Sequence, residues 1–189
     1  MAKIAFILLC HKDPASVIAQ AERLTARGDY ISIHFDGRAS KEHYDTIRAA
    51  LKDNPSVAFA ARRMKCGWGE WSLVEATLQA VMAAVEKFPR ATHFYMLSGD
   101  CMSIKSAAYA HAFLDAEDVD YIESFDFFES DWIKTGMKGD RLHYRHWFNE
   151  RKNKFLFYAS HKVQKKLRLS RQVPSDVQVM IGSQWWCLR

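Results

Sequence analysis

Polar and charged side chains follow three predicted strands, at the points where those strands end. His11 comes after the first strand, residues 36–38 (Asp-Gly-Arg) after the second, and residues 98–100 (Ser-Gly-Asp) after the fourth. In an open parallel sheet, ligands bind outside the carboxyl ends of the strands, where the loops converge. We therefore expect these three clusters to share one rim of the sheet.

Asp36 and Arg38 have the residue types and the spacing of a nucleotide-binding pair. An acid at the end of the second strand accepts hydrogen bonds from a ribose or a base, and a nearby arginine offers a planar fork to phosphate. Asp-Gly is also a common turn dipeptide, so a purely structural turn at 36–37 is the alternative.

Phosphate binding at this rim needs a cradle, a metal or side-chain cations. The sequence has neither GxGxxG after the first strand nor GxxxxGK[ST], which argues against dinucleotide-binding and P-loop chemistry. Asp100 lacks the second acid of a DxD motif, and a hard divalent cation needs further oxygen ligands. We therefore predict that no metal is required and that Arg or Lys neutralises the phosphates.

Two tryptophans, Trp68 and Trp71, lie in the loop that leads into the third predicted helix. Ser72 and Glu75 have the spacing of a capping box, which predicts that this helix begins at Ser72. We expect one tryptophan to pack on the core as a hydrophobic staple. The other is expected to form a platform for a sugar or a base.

Apolar periodicity predicts alternating strands and helices. Asp13 and Pro14 are typical of an N-cap and a first helical residue, and Gly28 ends that helix. The first strand, helix and strand make a parallel crossover unit, which is right-handed almost without exception. Strands are predicted over 3–9, 30–35, 57–60, 93–97, 120–124 and 177–188. Helices are predicted over 14–27, 40–51, 72–87, a stretch ending near 114, and 160–169.

Length and composition favour a single α/β domain with a mostly parallel sheet flanked by helices. The chain has 189 residues, 49% of them hydrophobic, which is enough for one substantial core. Residues 1–124 carry the regular alternation, and residues 125–189 are less periodic. The four cysteines lack zinc spacing and are expected to be buried free thiols. The N-terminal apolar stretch is too short for a membrane span, so we expect a cytoplasmic protein, with peripheral membrane association left open.

Positive charge is concentrated between residues 138 and 171, where eleven Lys and Arg accompany two acids. This segment either meets an anionic partner or is a solvated surface. Tyr144, Trp147 and Phe148 interleave with the charges, which keeps nucleic acid as an alternative partner, although no stacking-module motif accompanies them.

Four segments in a fixed order resemble one enzyme family. They are HFDGR (34–38), WGEWSLVEATLQAV (68–81), HFYMLSGDCMSIKS (93–106) and GSQWWCLR (182–189). Together they resemble the core-2/I-branching β1,6-N-acetylglucosaminyltransferase family, which also contains the protein O-xylosyltransferases. The resemblance spans nearly the whole chain, and it depends on the order and spacing of motifs that are individually weak.

The resemblance implies a GT-A-like (Rossmann-like) fold, incomplete at its C-terminal end in this sequence. It implies an inverting transfer of N-acetylglucosamine or xylose from UDP-GlcNAc or UDP-xylose to a hydroxyl of a glycan or protein acceptor. It further implies no required metal or cofactor and no nucleic-acid partner. Residues 1–124 would then bind the nucleotide sugar, and residues 125–189 would begin the acceptor side.

The resemblance also implies roles for individual residues. Asp36 matches an aspartate that recognises uracil, and Arg38 matches a basic residue of the xylosyltransferase branch. Glu123 corresponds to an acceptor-binding glutamate. The Ser-x-Trp motif that contains Gln184 and Trp185 would meet the donor sugar and the acceptor. The full set of implied substrate-binding residues is Asp36, Arg38, Trp68, Gly69, Ser98, Gly99, Asp100, Gln184, Trp185 and Glu123.

Two departures from the family pattern affect the expected chemistry. Ser103 stands where the family usually has a proline in the loop after the fourth strand. The family's general base is a glutamate that follows the Ser-x-Trp motif and would lie beyond Arg189, so the catalytic residue is unassigned. Because losing such a base costs about 10²- to 10⁴-fold in rate, we expect the 189-residue chain alone to be nearly inactive. A non-catalytic nucleotide- or carbohydrate-binding module and a basic nucleic-acid-binding protein are the alternatives.

Overall fold

The computed structural model describes residues 1–131, 137 and 139–189. They form two compact units, one made of Met1–Ile122 with Gln184–Arg189 and the other of Glu123–Ser183. The strands are β1 (Ile4–Cys10), β2 (Tyr30–Phe35), β3 (Val57–Phe59), β4 (His93–Ser98), β5 (Tyr121–Asp126) and β6 (Met180–Leu188). The helices are α1 (Pro14–Thr25), α2 (Lys41–Leu51), α3 (Trp71–Lys87), α4 (Ala107–Ala116), α5 (Asp140–His143) and α6 (Lys154–Lys166).

The strands form a six-stranded sheet in the order β3-β2-β1-β4-β6-β5. β1 pairs in parallel with β2 and with β4, and β2 pairs in parallel with β3. β6 runs antiparallel to β4, with Leu188 opposite Phe94. The predicted α/β class with a mostly parallel sheet is therefore confirmed.

Helices cover both faces of the sheet, as the nearly continuous apolar sequence of β1 predicts. Leu8 and Cys10 share a core cluster with residues of α1 and α2. Ala5 and Ile7, which point to the opposite face, share another cluster with residues of α3. The first unit therefore has apolar packing on both sides of its central strand.

Helix α3 packs on the sheet through small residues. Ala76, Ala80 and Ala84 form its buried stripe, and Ser32 Oγ donates a hydrogen bond to the Ala80 carbonyl at 2.7 Å. Methyl side chains let the helix backbone come close enough to β2 for this contact. The outward stripe of the same helix consists of exposed apolar residues: Trp71, Val74, Leu78, Met82 and Val85.

The predicted capping box at the start of α3 is wrong. The helix begins at Trp71, and Glu70 is its N-cap residue. The Ser72 hydroxyl accepts a hydrogen bond from the Gly67 N–H at 2.9 Å and so closes the preceding loop, instead of capping the N–H of Glu75. A side chain with the right local spacing has here been recruited by a neighbouring loop.

Most other predicted boundaries agree with the structure. Every strand, and helices α1 to α4, begin and end within three residues of the predicted limits where limits were given. Asp13 is the N-cap of α1, as predicted, and accepts a hydrogen bond from the Ser16 N–H. Within the described chain, none of the helices is both long and apolar enough to cross a membrane.

The second unit contains the largest difference from the predicted elements. α6 begins at Lys154, six residues before the predicted start, because the Asn153 side chain caps it by accepting from the Leu156 N–H at 3.0 Å. The short helix α5 was not predicted. Lys138, the first residue of the predicted basic segment, lies outside the described residues.

A buried carboxylate–imidazole pair joins distant parts of the first unit. Asp29 and His111 are 1% and 5% exposed, and His111 Nε2 lies 2.8 Å from Asp29 Oδ2. Asp29 Oδ1 also accepts a hydrogen bond from the Ile4 N–H at 3.0 Å. The pair therefore ties α4 to the beginning of β1 and β2.

Replacing His111 by alanine should lower the free energy of unfolding by about 3 kcal/mol, since it leaves the buried Asp29 carboxylate without its main partner. Urea unfolding followed by circular dichroism measures this. His43→Ala, at an exposed histidine of α2, is the matched control and should change stability by less than about 0.5 kcal/mol. Equal stability losses in the two variants would show that the buried pair does not stabilise the unit.

Candidate functional site

The topology creates a switch in strand order at β1. The chain passes from β1 to β2 and β3 on one side and then returns to β4 on the other side of β1. The loops that follow the carboxyl ends of β1 and β4 therefore diverge and leave a crevice between them. Open α/β sheets bind ligands in such a crevice. The predicted polar clusters after β1, β2 and β4 all lie at this edge of the sheet.

Cys10, the last residue of β1, contacts the loops on both sides. Its carbonyl oxygen accepts a hydrogen bond from the Asp36 N–H at 2.9 Å. Its Cβ lies 3.0 Å from the position that a Cβ on Gly99 would occupy. The loop after β2 and the loop after β4 therefore both contact Cys10, as expected if they share one rim of the sheet.

The Asp36 side chain connects the loop after β2 to the loop after β3. Its Oδ1 atom accepts hydrogen bonds from the Arg38 N–H at 2.7 Å and from the Cys66 N–H at 3.3 Å. The first bond makes the predicted Asp-Gly turn, so this structural alternative is present. Both backbone bonds end on the same oxygen, and the Cys66 thiol also interacts with this carboxylate.

The Arg38 side chain also joins the loop after β2 to the loop after β3. One guanidinium nitrogen, Nη1, donates to the Cys66 carbonyl at 2.8 Å, and Nη2 lies 4.0 Å from a Glu70 carboxylate oxygen. Half of the Arg38 side chain is exposed. Since a guanidinium has five N–H donors, Arg38 can hold the loop and still donate to an anion.

Arg63 was not identified from the sequence, although it organises the loop that carries Asp36. Its guanidinium donates to the carbonyls of Phe35, Asp36 and Ala39 at 3.2, 2.8 and 3.0 Å. The same group lies 4.5 Å from the centroid of the Tyr44 ring. Arg63 follows β3 in a basic stretch, and nothing in its local sequence distinguishes it from a solvated arginine.

Trp68, in the loop between β3 and α3, and Trp71, the first residue of α3, are both exposed. Trp68 is 68% exposed and Trp71 is 71% exposed, so the expectation that one of them is a staple on the core is wrong. Gly69 has a positive φ of 70°, which favours glycine at the turn between them. Trp68 therefore sits on a tight turn beside the junction made by Cys66, and its ring has the exposure that a stacking platform needs.

The loop after β4 places Asp100 beside a cation. Lys12, just after β1, has its ammonium nitrogen 3.2 Å from Asp100 Oδ1, and both side chains are mostly exposed. Gln20 of α1 supports this loop from below, because its Nε2 donates to the Cys101 carbonyl at 2.6 Å. Lys12 and Gln20 were not singled out in the sequence. Their distance along the chain from Asp100 leaves no local signal.

The remaining predicted site residues lie on β5 and β6. Because β6 is antiparallel to β4 and Leu188 pairs with Phe94, residues 184 and 185 lie toward the carboxyl end of β4. Gln184 and Trp185 are both exposed. Glu123 is exposed and belongs to the second unit.

Thiolate chemistry is disfavoured at Cys66 and at Cys10. Burial raises the pKa of Cys66 to about 11 and that of Cys10 to about 12, so both stay protonated at neutral pH. Within the described residues all four cysteines are free thiols. No group of three potential metal ligands among His, Cys, Asp and Glu occurs in that part of the chain.

A comparison with protein families decides the assignment. The family model described as Core-2/I-Branching enzyme matches residues 4–189, which is nearly the whole chain. The chain belongs to the core-2/I-branching enzyme family. Membership implies a glycosyltransferase that uses a nucleotide-sugar donor and an acceptor. Among curated proteins, no sequence matches the chain significantly.

In this family member, His34 holds the loop that precedes Cys66. The side chain is buried at the end of β2, and its Nε2 accepts a hydrogen bond from the Met64 N–H at 2.8 Å. Burial lowers the pKa of His34, and a neutral imidazole is also what accepting this hydrogen bond requires. Protonation of His34 would therefore loosen the loop that carries Trp68.

Stability should depend on pH through this histidine. The pKa of His34 is lower in the folded protein than the ordinary histidine value of about 6.5, which applies in the unfolded chain. Below about pH 6.5 the unfolded chain therefore binds more protons than the folded protein, and the free energy of unfolding falls as the pH drops. Urea unfolding between about pH 5 and pH 7.5 should show a smaller decrease for His34→Gln, which keeps an acceptor without titrating. The same decrease in both proteins would contradict this role.

Proposed function

We propose that the protein is an inverting glycosyltransferase that transfers N-acetylglucosamine or xylose from a UDP-sugar to a hydroxyl of a glycan or protein acceptor. The observation that supports this most directly is the Asp36 carboxylate. It lies at the carboxyl end of β2, beside the strand-order switch, in a member of a glycosyltransferase family. This is the position from which an acid can accept hydrogen bonds from a nucleoside.

Uracil or ribose would bind at Asp36, and the diphosphate would meet positive side chains. Asp36 Oδ1 is occupied by backbone N–H groups, so we assign Oδ2 to the nucleoside. Arg38 lies on the loop after β2, and Lys12 lies on the loop after β1, where it contacts Asp100 of the loop after β4. Arginine would bind phosphate through a planar pair of N–H donors, and lysine as a compact charge.

We also propose that donor binding needs no metal. The carboxylate of Asp100 has the Lys12 ammonium 3.2 Å away, where a metal-dependent site would have a further oxygen ligand. With UDP bound, Lys12 would turn from Asp100 to a phosphate oxygen and neutralise part of the diphosphate charge. Glycine at position 99 lets this loop pack closely on the end of β1, because a Cβ there would lie 3.0 Å from the Cys10 Cβ.

The exposed aromatic residues are assigned to the sugar and the acceptor. Trp68 and Trp185 offer flat apolar surfaces of the kind that stack on pyranose rings. Inversion requires a base that deprotonates the acceptor hydroxyl while UDP leaves from the opposite face of the sugar. The resemblance assigns that base to a glutamate after the Ser-x-Trp motif. We therefore propose donor-binding roles for the residues of this chain and assign none of them as the base.

The substitution Asp36→Asn tests the nucleoside contact without removing the loop junction, since an asparagine Oδ1 still accepts from Arg38 and Cys66. Affinity for UDP, measured by isothermal titration calorimetry, should fall about 10- to 100-fold because a charge-assisted hydrogen bond is lost. Asp45→Asn, at an exposed aspartate that pairs with Lys41 on α2, is the matched control and should leave affinity unchanged. Unchanged affinity in Asp36→Asn, or an equal loss in both variants, would contradict the assignment.

Competition between donors then separates the two leading functions. A transferase for N-acetylglucosamine or xylose should bind one of UDP-GlcNAc and UDP-xylose more tightly than UDP alone. A non-catalytic nucleotide-binding module should show no preference for the sugar. Transfer of radiolabelled sugar to an acceptor hydroxyl would establish the activity, whereas equal affinity for UDP, UDP-GlcNAc and UDP-xylose would favour the module.

Donor affinity should not depend on divalent metal. Adding EDTA or Mg²⁺ should change the Kd of UDP by less than about twofold, because Lys12 and Arg38 neutralise the phosphates. Lys12→Ala should weaken UDP binding about tenfold in either condition through the loss of one charged contact. A large gain in affinity with Mg²⁺ would refute metal independence without refuting the nucleotide site.

A further inference from the structure

The outward face of α6 combines positive charge with exposed apolar side chains. Phe157 and Gln164 form the buried side of the helix, where the Gln164 amide bonds to both backbone groups of Arg145 at 3.0 and 2.9 Å. At 3.6 residues per turn, Phe155, Lys162 and Lys166 lie opposite that side. We call the exposed surface formed by Phe155, Lys162, Val163 and Lys166 the α6 outer face.

The charge of this region is entirely of one sign. Residues 151–171 contain eight Lys and Arg and no acid. The acids just before them are already engaged: Asp140 binds Lys165 at 2.5 Å, and Glu150 accepts a hydrogen bond from the Tyr158 hydroxyl at 2.8 Å. Lys162 and Lys166 therefore belong to an uncompensated basic surface, which is complementary to an anionic one.

Large apolar side chains share this surface. Phe155 is 79% exposed and Val163 is 50% exposed on the helix itself. Leu167 and Leu169 follow directly after the helix and are 60% and 52% exposed. A surface that served only to be solvated would not need to expose four apolar side chains among eight cations.

We infer that the α6 outer face docks on an anionic lipid membrane surface. Basic residues near such a surface are attracted by the negative headgroups, and each adds about a factor of five to binding. Aromatic and aliphatic side chains between them insert at the boundary of the headgroups and acyl chains, while lysines extend back to the phosphates. This inference does not depend on the proposed nucleotide site, which lies in the first unit.

The aliphatic side chains favour a membrane over a nucleic acid. Phosphate backbones attract Lys and Arg equally well, and bases stack on flat aromatic rings. Val163, Leu167 and Leu169 contribute to neither contact, but they gain from transfer into the acyl region. Val163 and the leucines thus make the difference that an experiment can measure.

Flotation of the 189-residue chain with vesicles tests the inference. We expect binding to phosphatidylcholine vesicles that contain about 30% phosphatidylglycerol and no binding to pure phosphatidylcholine. Lys162→Glu with Lys166→Glu should lower the partition coefficient at least about tenfold. Val163→Ser with Leu167→Ser should lower it about three- to tenfold with the charge unchanged. Circular dichroism confirms that these exposed substitutions leave the fold intact.

Two control variants separate this face from other surfaces. Arg27→Glu with Lys52→Glu makes the same charge change at exposed positions of the first unit and should leave flotation nearly unchanged. Leu78→Ser with Met82→Ser removes exposed apolar side chains from α3 and should also have no effect.

Several results would overturn the inference. It is wrong if the chain does not float with anionic vesicles, or if the charge control reduces flotation as much as the α6 variant. It is also wrong if only the α3 variant reduces flotation. Loss of binding with the lysine variant but not with Val163→Ser and Leu167→Ser, together with displacement of the chain from vesicles by single-stranded RNA, would instead identify a nucleic-acid-binding surface.

Discussion

One carboxylate oxygen holds the candidate site together. Asp36 Oδ1 accepts backbone hydrogen bonds from both Arg38 and Cys66, and so joins the loop after β2 to the loop that carries Trp68. Arg63 and His34 act on the same two loops, the first through backbone carbonyls and the second through the Met64 N–H. Asp36, which we assign to the nucleoside, therefore also fixes the positions of Arg38, the proposed phosphate-binding cation, and of Trp68, the proposed stacking platform.

The turn at Asp36 and the proposed nucleotide contact are compatible, because the turn uses Oδ1 and the proposal assigns Oδ2 to the nucleoside. The sequence leaves these two interpretations as alternatives, since Asp-Gly is typical of both. The structure shows that the turn exists and that its backbone hydrogen bonds end on Oδ1. A substitution that preserves Oδ1, such as asparagine, can therefore separate binding from loop structure.

The sheet and most helices were predictable because their signals are local. The apolar run of β1 and the Asp13–Pro14 start of α1 depend on residues a few positions apart. The start of α3 was not predictable in this way, because Ser72 bonds back to Gly67 instead of capping the helix. Arg63, Lys12 and Gln20 support the rim through partners at least 24 residues away along the chain. Spacing patterns cannot detect such contacts. The exposure of both Trp68 and Trp71 was also not predictable, because it depends on the conformation of the loop and not on the apolar character of the side chains.

The central claim is that the loops carrying Asp36, Trp68 and Asp100 form one pocket for a uridine diphosphate sugar. Backbone amide chemical shifts recorded by NMR during a titration with UDP test it most directly. The account predicts that the largest shifts occur together in residues 36–38, 66–69 and 98–101, with one common affinity. Shifts confined to residues 139–183, or spread over the three loops with unrelated affinities, would contradict it.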